Sequence, residues 1–353
     1  MVRGRPQRHD LMTRRQWLQA AGAAAFTPLM ASAQDADAPQ RIARPFGPRA
    51  PWNVPVKHVP QHSEGRLYVD RLFRDVGGVR PAKFHIATEA YTFPVYDARD
   101  STGPTNFKTY WETNLVGKVP WNPAWKAAPG SDAQLIVVDA ENGLEWDYFQ
   151  VQYKLQVVQA TAANLVTGDI RTKEDGFLPS RGSGIPYLAM LVRPHELRQG
   201  VIEHALSLTL ATISGKDFVP PATKLEFPQG HRAGVPAGMR YALNLSDDDL
   251  DRWAQRLPKE LTDDTRRSAR IVAQALKDYG WFVTDSSPGA LFQFECRTTA
   301  GKAWDELGLS FLKVRDKEYP RDLLEGLLRT ETVVAFVPSN EYPDEWRARP
   351  TAL

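Results

Sequence analysis

Alternation of apolar and polar residues with a period of two recurs along this chain and restricts its fold more than any other pattern. It is clearest over residues 149–157, where apolar residues alternate with three glutamines and a lysine. Similar runs occupy residues 201–213, 239–245 and 292–296. Because a strand places successive side chains on opposite faces, these runs predict antiparallel strands with one buried face.

Helical signals are few and do not alternate regularly with the strands. They cover residues 185–192 continuing to a stop at Gly200, residues 247–257 behind Ser246, residues 263–279 before Gly280, and residues 320–328. Helices that do not separate successive strands argue against a βαβ sheet. We therefore predict a mainly β fold, an antiparallel β-sandwich of the jelly-roll kind with a few peripheral helices.

The N-terminal 33 residues carry the features of an export signal. Arginines precede the pair Arg14-Arg15, an apolar run covers residues 20–30, and Ala31-Ser32-Ala33 ends the segment. This order resembles a twin-arginine (Tat) signal peptide with an A-x-A cleavage site. The resemblance implies export of the folded protein by the Tat machinery to the periplasm or the outside of the cell.

An N-terminal membrane helix is the alternative for this segment. The apolar run is shorter than the roughly 20 residues that a span needs, and Gly22 and Pro28 interrupt it. We therefore expect no stable membrane span after cleavage. Residues 34–50 lack periodicity and are predicted to be a linker, and residues 51–353 are predicted to form a single β-rich domain.

The charge and cysteine content exclude several classes of function. The chain of 353 residues has a formal charge of +2, but residues 1–33 carry five arginines and one aspartate, so their removal leaves −2. A nearly neutral protein has no electrostatic basis for binding nucleic acid. With Cys296 as the single cysteine, no intramolecular disulfide can form. Only His58 and His62 approach a metal-ligand spacing, and they lie in a predicted loop, so we assign no metal ligands and leave the cofactor unassigned.

Paired carboxylates form the strongest candidate for chemistry. Glu145 and Asp147 follow the turn Asn142-Gly143 and would project from one face of a strand. A glycosidase needs two carboxyls about 5–5.5 Å apart for retention or roughly 6.5–9.5 Å apart for inversion. These residues are candidate catalytic groups, and Trp146 between them is a candidate sugar contact. A merely solvated acidic hairpin is the alternative.

Further candidates lie downstream. Arg181, in the segment Arg181-Gly182-Ser183-Gly184, combines a guanidinium with backbone N–H groups that suit a substrate carboxylate. His204 on an apolar strand face is a candidate base, with Tyr187 as an acid and Asp285 as a further contact. Glycines that only let the chain turn, a buried structural histidine and a solvated Asp285 are the alternatives.

Two family resemblances bear on these residues. The segment Glu145-Trp146-Asp147 resembles the E-x-D-x-x-E strand motif of concanavalin-like jelly-roll glucanases, although Gln150 occupies the position of the third carboxylate. Several short motifs, among them Gly182-x-Gly184 and residues 202–206, resemble secreted bacterial proteins of unassigned activity. The first resemblance implies sugar hydrolysis, and the second implies export without naming a reaction.

Two classes of function remain open on these grounds. The first is a secreted carbohydrate-active enzyme, a glycoside hydrolase or a polysaccharide lyase, whose partner is an extracytoplasmic polysaccharide or oligosaccharide. The second is a noncatalytic carbohydrate-binding or envelope-associated structural protein, which needs aromatic contacts but no acid and base. If carboxylates, Arg181 and His204 meet in one aromatic-lined groove, the enzyme is favoured, whereas scattered positions favour the noncatalytic protein.

Overall fold

The computed structural model describes residues 46–74, 83–167, 180–226 and 231–347. Short strands dominate this part of the chain, which contains eighteen strands and five α-helices. The helices are α1 (Gly65–Phe73), α2 (Pro194–Gln199), α3 (Asp247–Gln255), α4 (Asp263–Asp278) and α5 (Arg297–Glu306). The expectation of a mainly β fold is confirmed.

A six-stranded mixed sheet, here called the large sheet, forms the centre of the main hydrophobic core. Its strands, in order across the sheet, are β1 (Phe84–Ala87), β15 (Ala290–Gln293), β10 (Leu206–Leu210), β14 (Trp281–Asp285), β13 (Arg240–Leu243) and β18 (Val333–Phe336). The pairs β1–β15 and β10–β14 are parallel, and the other three pairs are antiparallel. Apolar side chains of α1, α3, α4 and α5 pack into the same core.

Two four-stranded sheets form a smaller sandwich from residues 95–167. The inner small sheet contains β2 (Val95–Asp97), β5 (Leu135–Asp139), β6 (Leu144–Phe149) and β9 (Ala162–Thr167). The outer small sheet contains β4 (Val119–Trp121), β3 (Gly103–Thr109), β8 (Val157–Ala160) and β7 (Gln152–Lys154). Both sheets contribute to one apolar cluster that includes Trp121, Tyr148 and Val158, so they pack face to face.

The other face of the inner small sheet is also covered. Ile136 and Val138 of β5 join a third apolar cluster with Phe93, Tyr187 and Leu188. The covering segment continues to Val192, whose N–H donates to the backbone oxygen of Gln293 in the large sheet. Side chains on both faces of β6 are therefore enclosed by protein.

Two short two-stranded sheets, the first parallel and the second antiparallel, complete the described strands. One joins β11 (Ile213–Phe218) to β12 (Val235–Ala237), and the other joins β16 (Leu312–Val314) to β17 (Lys317–Tyr319). Four 3₁₀ turns lie at Pro51–Asn53, Val56–His58, Ala98–Asp100 and Ser339–Glu341. Within the described ranges, no helix combines the length and the apolar content that a membrane span requires.

The expected jelly-roll sandwich is not confirmed, because parallel pairs occur in all three main sheets. A period of two shows which face of a strand is buried but not the direction of its neighbour. The alternating run 149–157 is also three elements rather than one strand. Gln150 has a φ of 54°, and Leu155 and Gln156 have φ of 51° and 60°, which turn the chain at both places.

Helices were predicted best where the sequence carries caps. Ser246 accepts the N–H of Asp249 at 3.1 Å and donates its own N–H to that carboxylate at 3.0 Å, a capping box for α3. Thr262 Oγ1 accepts the N–H of Thr265 at 3.1 Å and so caps α4 without a capping box. Residues 185–192 and 320–328 form turns instead of the helices expected there, and neither stretch has a side-chain cap at its start.

The described residues all belong to one compact unit. The predicted signal peptide, residues 1–33, and residues 34–45 of the predicted linker lie outside the described residues. The end of that linker is within them, where Asn53 Nδ2 donates to the backbone oxygen of Gly47 at 2.7 Å. Tight packing of backbone against backbone is evident where α4 leads into β14 at Gly280.

We expect Gly280→Ala to lower the free energy of unfolding by about 3 kcal/mol. Gly280 has a φ of +70°, and a Cβ there would lie 1.9 Å from the backbone oxygen of Tyr241. Gly301→Ala is the matched control, because that glycine lies inside α5 with only ordinary contacts, 3.7 Å to Arg297 Cβ. It should raise stability by about 0.5–1 kcal/mol. Denaturant unfolding measures both, and equal effects would contradict the packing argument.

Candidate functional site

The two predicted carboxylates lie on one face of β6, as the period of two requires. Glu145 is 3% exposed and Asp147 is 0% exposed. Trp146 and Tyr148 project from the opposite face and pack with the second apolar cluster. The strand is antiparallel to β5 before it and to β9 beside it, so β6 has no free edge.

The carboxyl groups of Glu145 and Asp147 are hydrogen-bonded to each other. The N–H of Leu188 donates to Glu145 Oε1 at 2.7 Å, and the N–H of Tyr187 approaches Asp147 Oδ2 at 3.4 Å. Burial raises the pKa of both groups, and the neighbouring Glu145 raises the pKa of Asp147 well above its usual range. Two adjacent carboxylates in such a place share one proton.

Arg181 supplies positive charge near this pair but is itself saturated. Its guanidinium donates to six oxygens at 2.7–3.2 Å, on the backbone of Ile185, Pro186 and Tyr187 and on the side chains of Ser207, Thr284 and Gln293. The rings of Phe93 and Tyr187 flank it at 5.2 and 5.6 Å. A guanidinium has five N–H groups, so none remains for a ligand. The expected substrate contact by Arg181 has no support in this arrangement.

Other charged groups complete the interior cluster. Asp285, 6% exposed at the end of β14, accepts the N–H of Ser286 at 2.9 Å. Burial lowers the pKa of Arg181 and also that of Lys224, and the carboxylate of Asp285 is the largest opposing influence on each. Burial raises the pKa of Tyr187 well above its usual range, and this ring stacks on Phe93 at 4.1 Å. The structure therefore brings Glu145, Asp147, Arg181, Tyr187 and Asp285 together.

The glycines beside Arg181 permit close packing rather than a helix start. A Cβ on Gly182 would lie 1.9 Å from Glu226 Cγ, and a Cβ on Gly184, whose φ is +78°, would lie 1.9 Å from Thr223 Oγ1. The N–H of Thr223 donates to the backbone oxygen of Ser183 at 2.9 Å. The turn was predicted correctly, but no helix follows it until α2.

Two predicted site residues lie outside this cluster. His204, 5% exposed, pairs through Nε2 with Glu196 Oε1 of α2 at 2.8 Å, and its Nδ1 lies 2.7 Å from the backbone oxygen of Ala205. The prediction that it is buried and hydrogen-bonded is confirmed. Trp146 lines a shallow depression of about 470 Å³ with Arg99 and Lys118, on the opposite face of β6 from the carboxyls.

The interior pair does not have the geometry of a glycosidase. Hydrogen-bonded carboxyls leave no room between them for a glycosidic bond, which needs a separation of at least about 5 Å. Their remaining oxygens, Glu145 Oε2 and Asp147 Oδ1, are enclosed and have no other partner. This arrangement can hold a proton and bind the backbone at Tyr187 and Leu188.

An open cleft of about 790 Å³ lies elsewhere, beside the edge strand β1. Its lining combines charged and aromatic side chains: Lys83, His85, Glu89, Tyr91, Arg297, Phe311, Glu318, Tyr319 and Arg321. Strand β1 places Phe84 and Ile86 in the main core and His85 on the other face. The N–H of Ile86 donates to the backbone oxygen of Arg321 at 2.9 Å, which holds the turn 318–322 against this edge.

His85 and Asp322 form a histidine–carboxylate pair in this cleft. His85 Nδ1 lies 2.9 Å from Asp322 Oδ1, an ion-pair contact whose angle falls short of hydrogen-bond geometry, and it is otherwise enclosed. Asp322 Oδ2 accepts the N–H of Glu318 at 2.7 Å, which fixes the carboxylate. Nε2 of His85 has no protein partner among the described residues and is not enclosed, so it faces the cleft.

The charge around His85 favours its neutral form. Burial lowers its pKa below 6.5, the positive charges of Arg321 and Lys83 lower it further, and Asp322 opposes them. A neutral ring with a proton on Nδ1 presents the lone pair of Nε2 to the cleft. This arrangement can accept a proton from a bound molecule.

Sequence reasoning missed this pair for two reasons. His85 alternates with apolar neighbours and resembles any solvent-facing strand residue. Asp322 lies 237 positions later, in a stretch where we expected a helix. An acidic residue in the first turn of a helix is explained by the helix dipole and drew no attention. The single available signal was an isolated histidine within an apolar strand.

No metal site emerges from the described ranges, where no group of three or more His, Cys, Asp or Glu residues has a suitable arrangement. His58 stacks on Trp346 at 4.1 Å, and His62 Nδ1 accepts the N–H of Glu64 at 3.0 Å. His58 and His62 therefore contact Trp346 and the backbone of Glu64 separately and do not approach a shared site.

We expect the interior pair to make wild-type stability fall as pH rises. A raised carboxyl pKa in the folded state means that the protonated form is favoured there, so its stabilisation is present at acidic pH and is lost as pH rises through the raised pKa. Asp147→Asn, which keeps a donor toward Glu145, should flatten this dependence. Denaturant midpoints measured between about pH 5 and 8 test this prediction.

Asp249→Asn is the matched control for this experiment. Bonds to Ser246 and Arg252 lower the pKa of Asp249 to about 2, so its contribution to stability is lost only below about pH 4 and Asp249→Asn should leave the slope between about pH 5 and 8 unchanged. A variant Asp147→Asn with an unchanged pH dependence would contradict the shared proton.

Comparison with known proteins adds no assignment to this geometry. No protein-family model, curated protein or solved structure matches the chain. What this protein does must therefore be argued from its own residues.

Proposed function

We propose that this protein is a secreted carbohydrate-active enzyme, a hydrolase or lyase, that uses His85 as its general base. The observation that carries the proposal is the pairing of His85 Nδ1 with Asp322 while Nε2 faces an open cleft. Proton transfer to a general base requires that the base be held in one orientation. Here the carboxylate of Asp322 orients His85, and the backbone N–H of Glu318 holds that carboxylate.

Each residue of the pair has a separate part in the proposed reaction. His85 accepts a proton from the substrate at Nε2 because its Nδ1 already carries one. Asp322 keeps the proton on Nδ1 and stabilises the imidazolium that forms, as a positioning residue rather than a catalytic one. The neutral state is favoured above the lowered pKa of His85, so activity should decline as pH falls through that value.

The substrate class rests on the shape of the cleft and on the expected export. The lining includes Lys83 and also Phe311, which is 71% exposed. Aromatic rings with one open face stack on the apolar faces of sugars, and charged groups can bind sugar hydroxyls or carboxylates. A polysaccharide outside the cytoplasm fits both features.

We expect His85→Asn to abolish turnover while the protein stays folded. The Asn amide can occupy the position of Nδ1 and keep the bond to Asp322, but it offers no base. A loss of at least about 10²-fold in kcat is expected, measured as new reducing ends and as unsaturated uronate absorbance on a polysaccharide panel.

His85→Gln and Asp322→Asn complete this test. Gln places its amide near the position of Nε2 and breaks the bond to Asp322, so it should lose both activity and stability. Asp322→Asn should retain partial activity with its acid limb displaced to lower pH. Full activity of His85→Asn would exclude His85 as the base.

A second candidate function is noncatalytic binding of carbohydrate, which a different surface favours. We define the aromatic ledge as Tyr110, Trp111 and Phe149. Tyr110 is 78% exposed and Trp111 is 56% exposed, and Trp111 stacks on Phe149 at 6.1 Å with an angle of 25° between the rings. The backbone N–H groups of Tyr110 and Trp111 donate to Ala160 and Thr161, which makes the ledge rigid.

For this ledge we expect Trp111→Ala to weaken polysaccharide binding by about tenfold, since a buried stacking contact is worth roughly 1–1.5 kcal/mol. Leu155→Ala is the matched control, because Leu155 is 93% exposed and lies at the turn between β7 and β8. Affinity electrophoresis in polysaccharide gels measures both. Equal retardation of wild type and Trp111→Ala would remove this candidate.

A further inference from the structure

The cleft carries two cations that use few or none of their donors on other described residues. Lys83 forms no hydrogen bond or ion pair within the described ranges. Arg321 has one contact, from Nη1 to Glu318 Oε2 at 3.4 Å, and its Nε and Nη2 have none there. Both cations are close enough to His85 to lower its pKa. Two cations with unused donors therefore lie near the base.

From this charge distribution we infer that the substrate is an acidic polysaccharide built of uronate residues, and that the reaction is β-elimination. This inference rests on the proposed function, because it requires His85 as the base. Arg321 and Lys83 would bind the uronate carboxylate, Arg321 through the donors that Glu318 leaves free.

The negative charges in the cleft do not neutralise the positive charge of Arg321 and Lys83. Glu318 lies 3.4 Å from Arg321 and is 41% exposed, so solvent weakens its attraction for the guanidinium. Glu89 also lines the cleft and is exposed. Arg297, a third cation of the lining, is already bound to Asp305 at 2.6 Å and to the backbone oxygen of Leu309 at 3.1 Å.

The same cations explain why elimination suits this base. The proton on C5 of a uronate is adjacent to the carboxylate, and its removal places negative charge on that carboxyl group. Arg321 and Lys83 stabilise this charge as it develops, which lowers the barrier for a weak base such as neutral imidazole. A hydrolase instead needs two carboxyls placed on opposite sides of the bond.

The step balances without any further reagent. His85 Nε2 takes the proton from C5, the electron pair of the C5–H bond forms the C4–C5 double bond, and the C4–O bond breaks with its electrons on oxygen. The imidazolium of His85 then returns the proton to that oxygen. The products are one chain with an unsaturated uronate at its end and one chain with a free hydroxyl.

The experiment uses the full-length protein and five variants, His85→Asn among them, on polygalacturonate, polymannuronate, polyguluronate and glucuronan, with a neutral glucan beside them. We expect unsaturated product from one polyuronate and none from the glucan. Arg321→Gln and Lys83→Gln should each lower kcat/KM about tenfold. The controls Arg66→Gln and Lys302→Gln remove cations that are 70% and 67% exposed on α1 and α5, and they should leave kcat/KM unchanged.

The alternative outcomes separate this inference from the proposed function. Reducing ends from the neutral glucan without unsaturated product, lost in His85→Asn, would keep His85 as the base and overturn uronate elimination. Elimination that is insensitive to Arg321→Gln and Lys83→Gln would overturn the recognition by these cations. No turnover of any of the five polymers would overturn the inference together with the enzyme proposal.

Discussion

The buried guanidinium of Arg181 is the interaction on which the assembly of this chain depends. Its six acceptors belong to the segment that covers the inner small sheet and to three strands of the large sheet, through Ser207, Thr284 and Gln293. A charge taken out of water is costly unless every donor is satisfied. Here all donors are satisfied, two aromatic rings flank the group, and no carboxylate of the described ranges contacts it directly. Each bond of a charged group contributes about 1.5–3 kcal/mol when its loss leaves a buried group unpaired, so the surrounding strands and turns are held in one arrangement.

The proton shared by Glu145 and Asp147 follows from that charge. Two ionised carboxylates this close would repel each other strongly in an interior of low dielectric constant, whereas two neutral carboxyls would give up the attraction of Arg181. One proton on the pair retains a single negative charge opposite one positive charge. The N–H groups of Tyr187 and Leu188 then bind the remaining acceptors, which fixes the covering segment to β6. Glu145 and Asp147, which the sequence suggested for sugar hydrolysis, are thus explained by their role in stabilising the fold.

Patterns within one element could be derived from the sequence, and relations between distant elements could not. The hairpin at Asn142-Gly143, the shared face of Glu145 and Asp147, and the capped helices α3 and α4 all depend on neighbours a few residues apart, and all were predicted. The parallel pairs depend on which strands meet, and Asp322 reaches His85 only because the turn 318–322 lies against β1. The expected helix at 185–192 failed for a related reason. Its apolar residues are buried by two different layers, so they have no single face and need no helical periodicity.

Arg181 and Arg321 differ in burial, and this difference decides whether each guanidinium stabilises the fold or has donors free to bind a ligand. Both are arginines close to a titratable group, and both alter the pKa of that group. Around Arg181 the protein supplies every acceptor, so adding a ligand could only displace an existing bond. Around Arg321 the protein supplies one weak contact and leaves the remaining donors to solvent, beside a histidine whose free nitrogen faces the same space. A guanidinium in that state gains more from a carboxylate ligand than it loses, because the bonds that it gives up are to water. We therefore place the proposed chemistry at the edge of the large sheet, where polar groups have unused donors and acceptors.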